Sequence, residues 1–175
     1  MSTSTSIESS DWTLWQLIDS AFPIGGFAHS GGLEAAVQLT EITSAETLTA
    51  FIDASLHQCA RWLCPYAEAV RADTNSFSQH DRLLDVTLTN AVANRASRAQ
   101  GQSLLGTAEA VWKDPAVTAA REMLRGGAPG HWPTCFGLIA ATRGLSAPAA
   151  AEAILFIHLR GLISAAVRLG VIGPL

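Results

Sequence analysis

Apolar side chains recur at intervals of three and four along most of the 175-residue chain, and nowhere at a sustained interval of two. The first spacing lines one face of a helix, whereas the second would line one face of a strand. Trp12, Trp15 and Ile18 mark a first helix, capped by Asp11 after a Ser/Thr-rich stretch, residues 1–10, expected to be a flexible tail. Pro23 and Gly25-Gly26 end that helix, and Ser30 is placed to cap a second from Gly31 to Leu39. Thr43-Ser44-Ala45-Glu46 fits a capping box that opens a helix from Ser44 to Leu63, and Pro65 permits a fresh start up to Ala72.

From Ser78 to the Asp114-Pro115 break the pattern reads as one long helix, with Leu84, Leu88, Val92, Ala96 and Ala99 on its apolar face. Beside that face runs a stripe of small polar residues, Asn90, Asn94, Ser97 and Gly101, which would let another backbone come close. Pro115 to Arg125 is a short helix ended by Gly126-Gly127. A Gly/Pro-rich corner, GAPGHWPTCFG, precedes an apolar helix from Thr134 to Arg143, closed by Gly144. Ser146 then caps the longest helix, Pro148 to Leu169, with Leu155, Leu159, Leu162, Ala166 and Leu169 on one face and Arg160, Ser164 and Arg168 on another. The pattern predicts an all-α, single-domain helical bundle over residues 11–175.

Composition narrows the function. Hydrophobic residues are 49% and charged residues 15% of the chain, so a core is available, and the formal net charge of -4 argues against nucleic acid as a partner. The three cysteines follow no secretory leader pattern and read as reduced thiols, which places the protein in the cytoplasm. The most apolar stretch, Ala149 to Gly170, is interrupted by Glu152, His158, Arg160 and Arg168, which favours a buried helix over a membrane span.

Several chemistries can be tested on the residues. Ala28-His29-Ser30-Gly31-Gly32 resembles a nucleophile elbow, but an elbow needs a strand before its serine, and the preceding pattern is helical. Ser30 is therefore expected to cap a helix, with His29 a partly buried loop histidine. His57, Cys59 and Cys64 are spaced two and five apart, not the three or four that stack helical ligands, so the cysteines read as small apolar side chains. No phosphate-binding G-x-x-x-x-G-K-[ST] run is present, and the sole lysine, Lys113, follows a tryptophan. Arg95, Arg98 and Gln100 stand out on a helix weakened by Gly101 and Gly106, each costing about 1 kcal/mol against alanine. Those arginines either pair with acids such as Glu34 and Glu109 or face a partner. Trp12 and Trp15 could likewise anchor a core or an interface.

Four blocks taken together are more specific than any one: WQLIDSAFPIGGFAHSGGLEAA, NRASRAQGQSLL, GHWPTCFG and LRGLISAAVRLGVIGPL. In this order the chain resembles the UreF family of urease accessory proteins. The resemblance implies an all-helical chaperone component with no catalytic residue, no cofactor and no firm metal ligand. It implies a homodimer that bridges the scaffold protein UreD (also called UreH) and the nickel-carrying GTPase UreG, so that nickel is inserted into the urease apoprotein. Pro23, Gly25 and Gly26 would form an amino-terminal corner, with Glu34 facing a partner. Arg95, Ser97, Gln100 and Gly101 match the second block, His131, Pro133 and Gly137 the third, and Arg160, Ser164 and Arg168 the fourth. The family's pattern continues past VIGPL through further helices, so a chain stopping at Leu175 is expected to be truncated at its carboxy terminus. Two other functions stay open: a small-molecule enzyme with a pocket near Arg95, His131 and Cys135, and a generic helical interaction domain.

Overall fold

The computed structural model describes residues 9–22 and 30–173, and among these it contains nine α-helices and no strand. They are α1 (Ser9–Ile18), α2 (Leu33–Gln38), α3 (Ala45–Gln58), α4 (Cys64–Ala72), α5 (Phe77–Thr87), α6 (Ala91–Trp112), α7 (Pro115–Arg125), α8 (Trp132–Thr142) and α9 (Ala147–Arg168). The all-α expectation therefore holds, and several boundaries shift. Helix α1 starts at Ser9, so Asp11 lies within it instead of capping it. Pro23, Gly25, Gly26 and His29 lie outside the described residues.

The short polar caps explain most helix starts. Ser44 accepts from the Thr47 N–H, and the Thr47 hydroxyl accepts in return from the Ser44 N–H at 3.0 Å. The capping box is thus present one residue later than Thr43, and Thr47 takes the place expected for Glu46. Asp114 accepts from the Ala116 N–H ahead of Pro115, and its other oxygen meets Arg143 at 2.6 Å, tying the start of α7 to the end of α8. Ser146 accepts from the Ala149 N–H at the head of α9. Gly144 and Gly170 take φ of 70°, the left-handed geometry that closes α8 and α9.

Two joints depart from the sequence pattern. The long helix expected from Ser78 is broken between Thr87 and Ala91, where Asn90 accepts from both the Val92 and Ala93 N–H groups and so caps a new helix, α6. Past the break the apolar stripe no longer faces inward: Val92 and Ala99 are exposed, and α6 buries Gly101, Leu104, Leu105 and Ala108 instead. Between α3 and α4 the chain does not stop but widens into a π turn, Cys59–Leu63, in which the Cys64 N–H bonds to the Cys59 carbonyl. Pro65 supplies the reason. Its ring would collide with the carbonyl four residues back and it has no N–H to offer, and a wider turn relieves both.

Helix α8 is the hub. Every residue from Trp132 to Ala140 is buried, and α8 packs most extensively on α4 and α6, with α5 and α7 beside it. A smaller apolar cluster joins α2 and α3 to the end of α9 through Leu33, Ala36, Leu48, Ala165 and Ala166. The most enclosed helix is thus α8; α9, expected as a buried helix, buries one face through Ala150, Ala153, Ile154, Leu162, Ala165 and Ala166. By length and composition α9 could cross a membrane, but it is bound into this bundle by α1, α2, α3 and α4.

Candidate functional site

The approach of α6 to the corner before α8 is set by glycine. A Cβ on Gly101 would sit 2.1 Å from the Gly130 carbonyl oxygen and 2.8 Å from the Trp132 nitrogen. On the other side of α8, a Cβ on Gly137 would sit 2.2 Å from the Ala67 carbonyl oxygen of α4. Backbone therefore touches backbone on both flanks of α8. The small polar stripe on α6 does let another chain segment come close, and that segment is residues 130–132.

A buried carboxylate holds the corner. Asp81 on α5 is 0% exposed and accepts from the Gly130 N–H and the His131 N–H, each at 2.7 Å. The Thr134 hydroxyl lies 2.8 Å from both the Asp81 carboxylate and the His131 carbonyl. Backbone N–H groups at the start of a helix lack intrahelical partners and carry the positive end of its dipole, so a carboxylate there is favoured on both counts. His131 is also fully buried: its Nδ1 lies 3.1 Å from the Ser97 hydroxyl and its Nε2 lies 3.1 Å from Asp85. Ser97 already accepts from the Trp132 N–H at 3.2 Å, so its own hydrogen is free to go to Nδ1, and His131 donates Nε2–H to Asp85.

Asp85 closes the network at the surface. Hydrogen bonding from Asn94 above all, then from His131, with the nearby charge of Arg98 at 3.9 Å, holds its carboxyl below the ordinary aspartate range despite partial burial. A carboxyl depressed by folding adds stability above its unfolded pKa and loses it as pH falls through the lower folded value. The expected result is a loss of stability below about pH 4 that Asp85→Asn flattens, with urea midpoints measured across pH as the check.

The remaining candidates fall in different places. Arg95 is exposed, Gln100 is half-buried, and Arg98 reaches Asp85. Glu109 pairs with Arg121 and Arg125, at 3.4 and 3.7 Å, and not with Arg95 or Arg98. Glu34 is exposed in the first turn of α2. Ser30 is not the N-cap of that helix, since Gly32 takes the position with φ 93°, although the Ser30 hydroxyl lies 3.4 Å from the Glu34 N–H. Pro133 sits in the first turn of α8, where its missing N–H is not needed. Arg160 donates to the Ile18 carbonyl at the end of α1 and lies over the Phe156 ring. Ser164 is half-buried and Arg168 is exposed in the last turn of α9. The pocket expected near Arg95, His131 and Cys135 is not formed by them: His131 and Cys135 are enclosed while Arg95 faces solvent.

Asp81 and Thr134 were missed by sequence reasoning, yet Asp81 leaves a signal. Phe77, Asp81, Leu84 and Leu88 follow one another at four, three and four, so a carboxylate stands in an apolar register. An aspartate there is rarely buried without partners.

Outside this node several large apolar side chains are exposed. Trp12 and Trp15 on α1 are 63% and 64% exposed, and Phe156, Ile163 and Val167 lie on the open side of α9. Between α3 and α9, an open groove of about 350 Å³ is lined by Asp53, Leu56, His57, Ala60, Leu155, Phe156 and Leu159. The Ser55 hydroxyl meets His158 Nε2 at 2.8 Å and fastens these two helices.

The described residues thus define an all-α module with a helical hub built by backbone contact, a polar node satisfied internally and large apolar side chains on its surface. The UreF family model matches residues 42–175, a span that contains three of the four sequence blocks. Urease accessory protein F of Arabidopsis thaliana is 37% identical over 172 residues, covering 94% of this chain and 70% of that protein. The Oryza sativa subsp. japonica protein of the same name is 37% identical over 169 residues, covering 94% of this chain and 65% of its own length. Urease accessory protein UreF of Mycobacterium sp. (strain JLS) is 36% identical over 162 residues, covering 93% and 74%. The chain belongs to the UreF family, whose members are accessory to urease maturation and are not themselves the enzyme.

Proposed function

We propose that the chain is a cytoplasmic adaptor for nickel insertion into urease: it bridges the UreD/UreH scaffold and the UreG GTPase, acts as a homodimer, modulates the GTP cycle of UreG and passes nickel on to the urease apoprotein. The observation that carries the association role is the outward apolar surface of α1 and α9, with Trp12, Trp15, Phe156, Ile163 and Val167 exposed. Aromatic anchors of this kind dominate the energetics of protein interfaces. Arg95 is exposed on the helix that bears the Ser97–Gly101 contact and is suited to a partner carboxylate, while Arg160 is spent on the α1 carbonyl.

Co-expression with the scaffold and the GTPase, followed by size exclusion with GTP and nickel, tests the assignment. Co-elution of all three supports it. Elution alone, persisting when a family-length carboxy-terminal extension is added, would sink it; a helical interaction domain with no role in metal delivery would then be left. Arg95→Ala is expected to weaken co-elution about tenfold or more, in keeping with loss of an interface arginine, and to leave the thermal midpoint unchanged. Equal loss of both would make Arg95 a structural residue.

A further inference from the structure

The π turn brings together two residues to which neither the partner surface nor the Asp81 node assigns a role. In an α-helix, residues five apart point about 140° away from each other. Here the Cys64 N–H reaches the Cys59 carbonyl five residues back, so both side chains leave the same side of the helix. The cysteines expected to diverge are neighbours. They stand one turn apart along the axis, roughly 5 Å, close enough for the two thiols to interact. Cys59 is 2% exposed and belongs to the main core, whereas Cys64 is half-buried at its edge.

The chemistry of the pair is asymmetric. The Cys59 thiol hydrogen-bonds to Cys64, which together with burial pushes Cys59 up and draws Cys64 below the ordinary thiol value. The third thiol, Cys135, is enclosed in the core and pushed up by burial. A more acidic, more accessible sulfur beside a shielded one is the arrangement in which the first reacts and the second resolves.

We propose that Cys64 and Cys59 form a redox-modification site for small hydroperoxides, closing a disulfide across the π turn. The Cys64 thiolate attacks a peroxide oxygen: an S–O bond forms, the O–O bond breaks, and the departing oxygen takes up the proton that Cys64 gave up. The Cys59 sulfur then attacks the Cys64 sulfur: the S–S bond forms, the S–O bond breaks, and hydroxide leaves as water with the Cys59 proton. Two thiols lose two electrons and two protons, and hydrogen peroxide becomes two waters. A small dithiol reverses the bond by exchange.

The test is thiol counting on the intact chain exposed to hydrogen peroxide, then quenched, unfolded and alkylated. The expected result is a fall from the three thiols of the sequence to the single thiol of Cys135, restored by dithiothreitol, with the peptide carrying residues 59 and 64 lighter by two hydrogens. Cys59→Ala should instead trap a sulfenic acid on Cys64, detected with dimedone. Three alkylatable thiols after exposure would overturn the proposal, as would a Cys64 sulfinic acid beside a free Cys59. The count on the unmodified chain decides the matter even if the variant fails to fold.

Discussion

Asp81→Ala is expected to remove about 3–5 kcal/mol of folding stability, the usual cost of deleting one partner from a buried, charged hydrogen-bond network. Two backbone donors lose their acceptor at once, the N–H groups of Gly130 and His131, and the Thr134 hydroxyl is left with the His131 carbonyl alone. None can turn to bulk water, because residues 129 to 140 are all buried. A domain of this size holds about 5–15 kcal/mol in total, so the variant should lie close to unfolding. Urea titration followed by circular dichroism measures the loss, with a lower midpoint at unchanged slope. Asp81→Asn should fall between, since one oxygen still accepts while the amide now faces donors. A loss under about 1 kcal/mol for the alanine variant, the scale of one ordinary hydrogen bond, would mean that the corner is held by packing alone.

Gly137→Ala comes next, with an expected cost of about 3 kcal/mol or more, the upper end for overpacking. The added methyl meets the Ala67 carbonyl oxygen at 2.2 Å and the Ala67 carbonyl carbon at 2.9 Å, and backbone cannot swing aside as a side chain would. Gly101→Ala should behave alike, against Gly130 at 2.1 Å. Gly106→Ala provides the opposite sign. Its methyl would lie 3.6 Å from the Arg121 guanidinium, an ordinary contact, and alanine in a helix interior is better than glycine by about 0.5–1 kcal/mol. Thermal melts of the three variants should thus move in two directions. A rise for Gly137→Ala would show that α4 and α8 separate easily and that the close approach is incidental.

Much of the fold was legible because its helices start and stop on local chemistry. Asp114-Pro115, Ser146, Gly144 and Gly170 do in the structure what their types imply, and the α7 limits coincide with the expected Pro115 to Arg125. The four sequence blocks pointed to the family that the comparisons identify. The break at Asn90 was hidden because Leu84 and Leu88 are both buried and keep helical spacing right up to it, so periodicity runs through a joint that only a side-chain cap reveals. The corner node was half legible. Ser97, Gly101 and His131 were singled out, but the Asp81 bonds to Gly130 and His131 that hold their corner span 49 and 50 positions, and no local pattern encodes them. How deeply each helix lies was not legible, because α9 is long and apolar yet buries one face, whereas α8 is enclosed by the neighbours α4, α5, α6 and α7.

The π turn between α3 and α4 has one more implication, for aim. A π turn is an α turn holding a single additional residue, and each residue advances an α-helix by about 100°. Without that residue, α3 would leave the joint rotated by the same angle about its axis. Ser55 would no longer point to His158, and Phe51 and Ile52 would leave the cluster they share with Ala165 and Ala166. The angular phase of an entire helix, and with it one wall of the groove against α9, is thus fixed by the residue count between Gln58 and Cys64 and not by which apolar side chains α3 happens to carry.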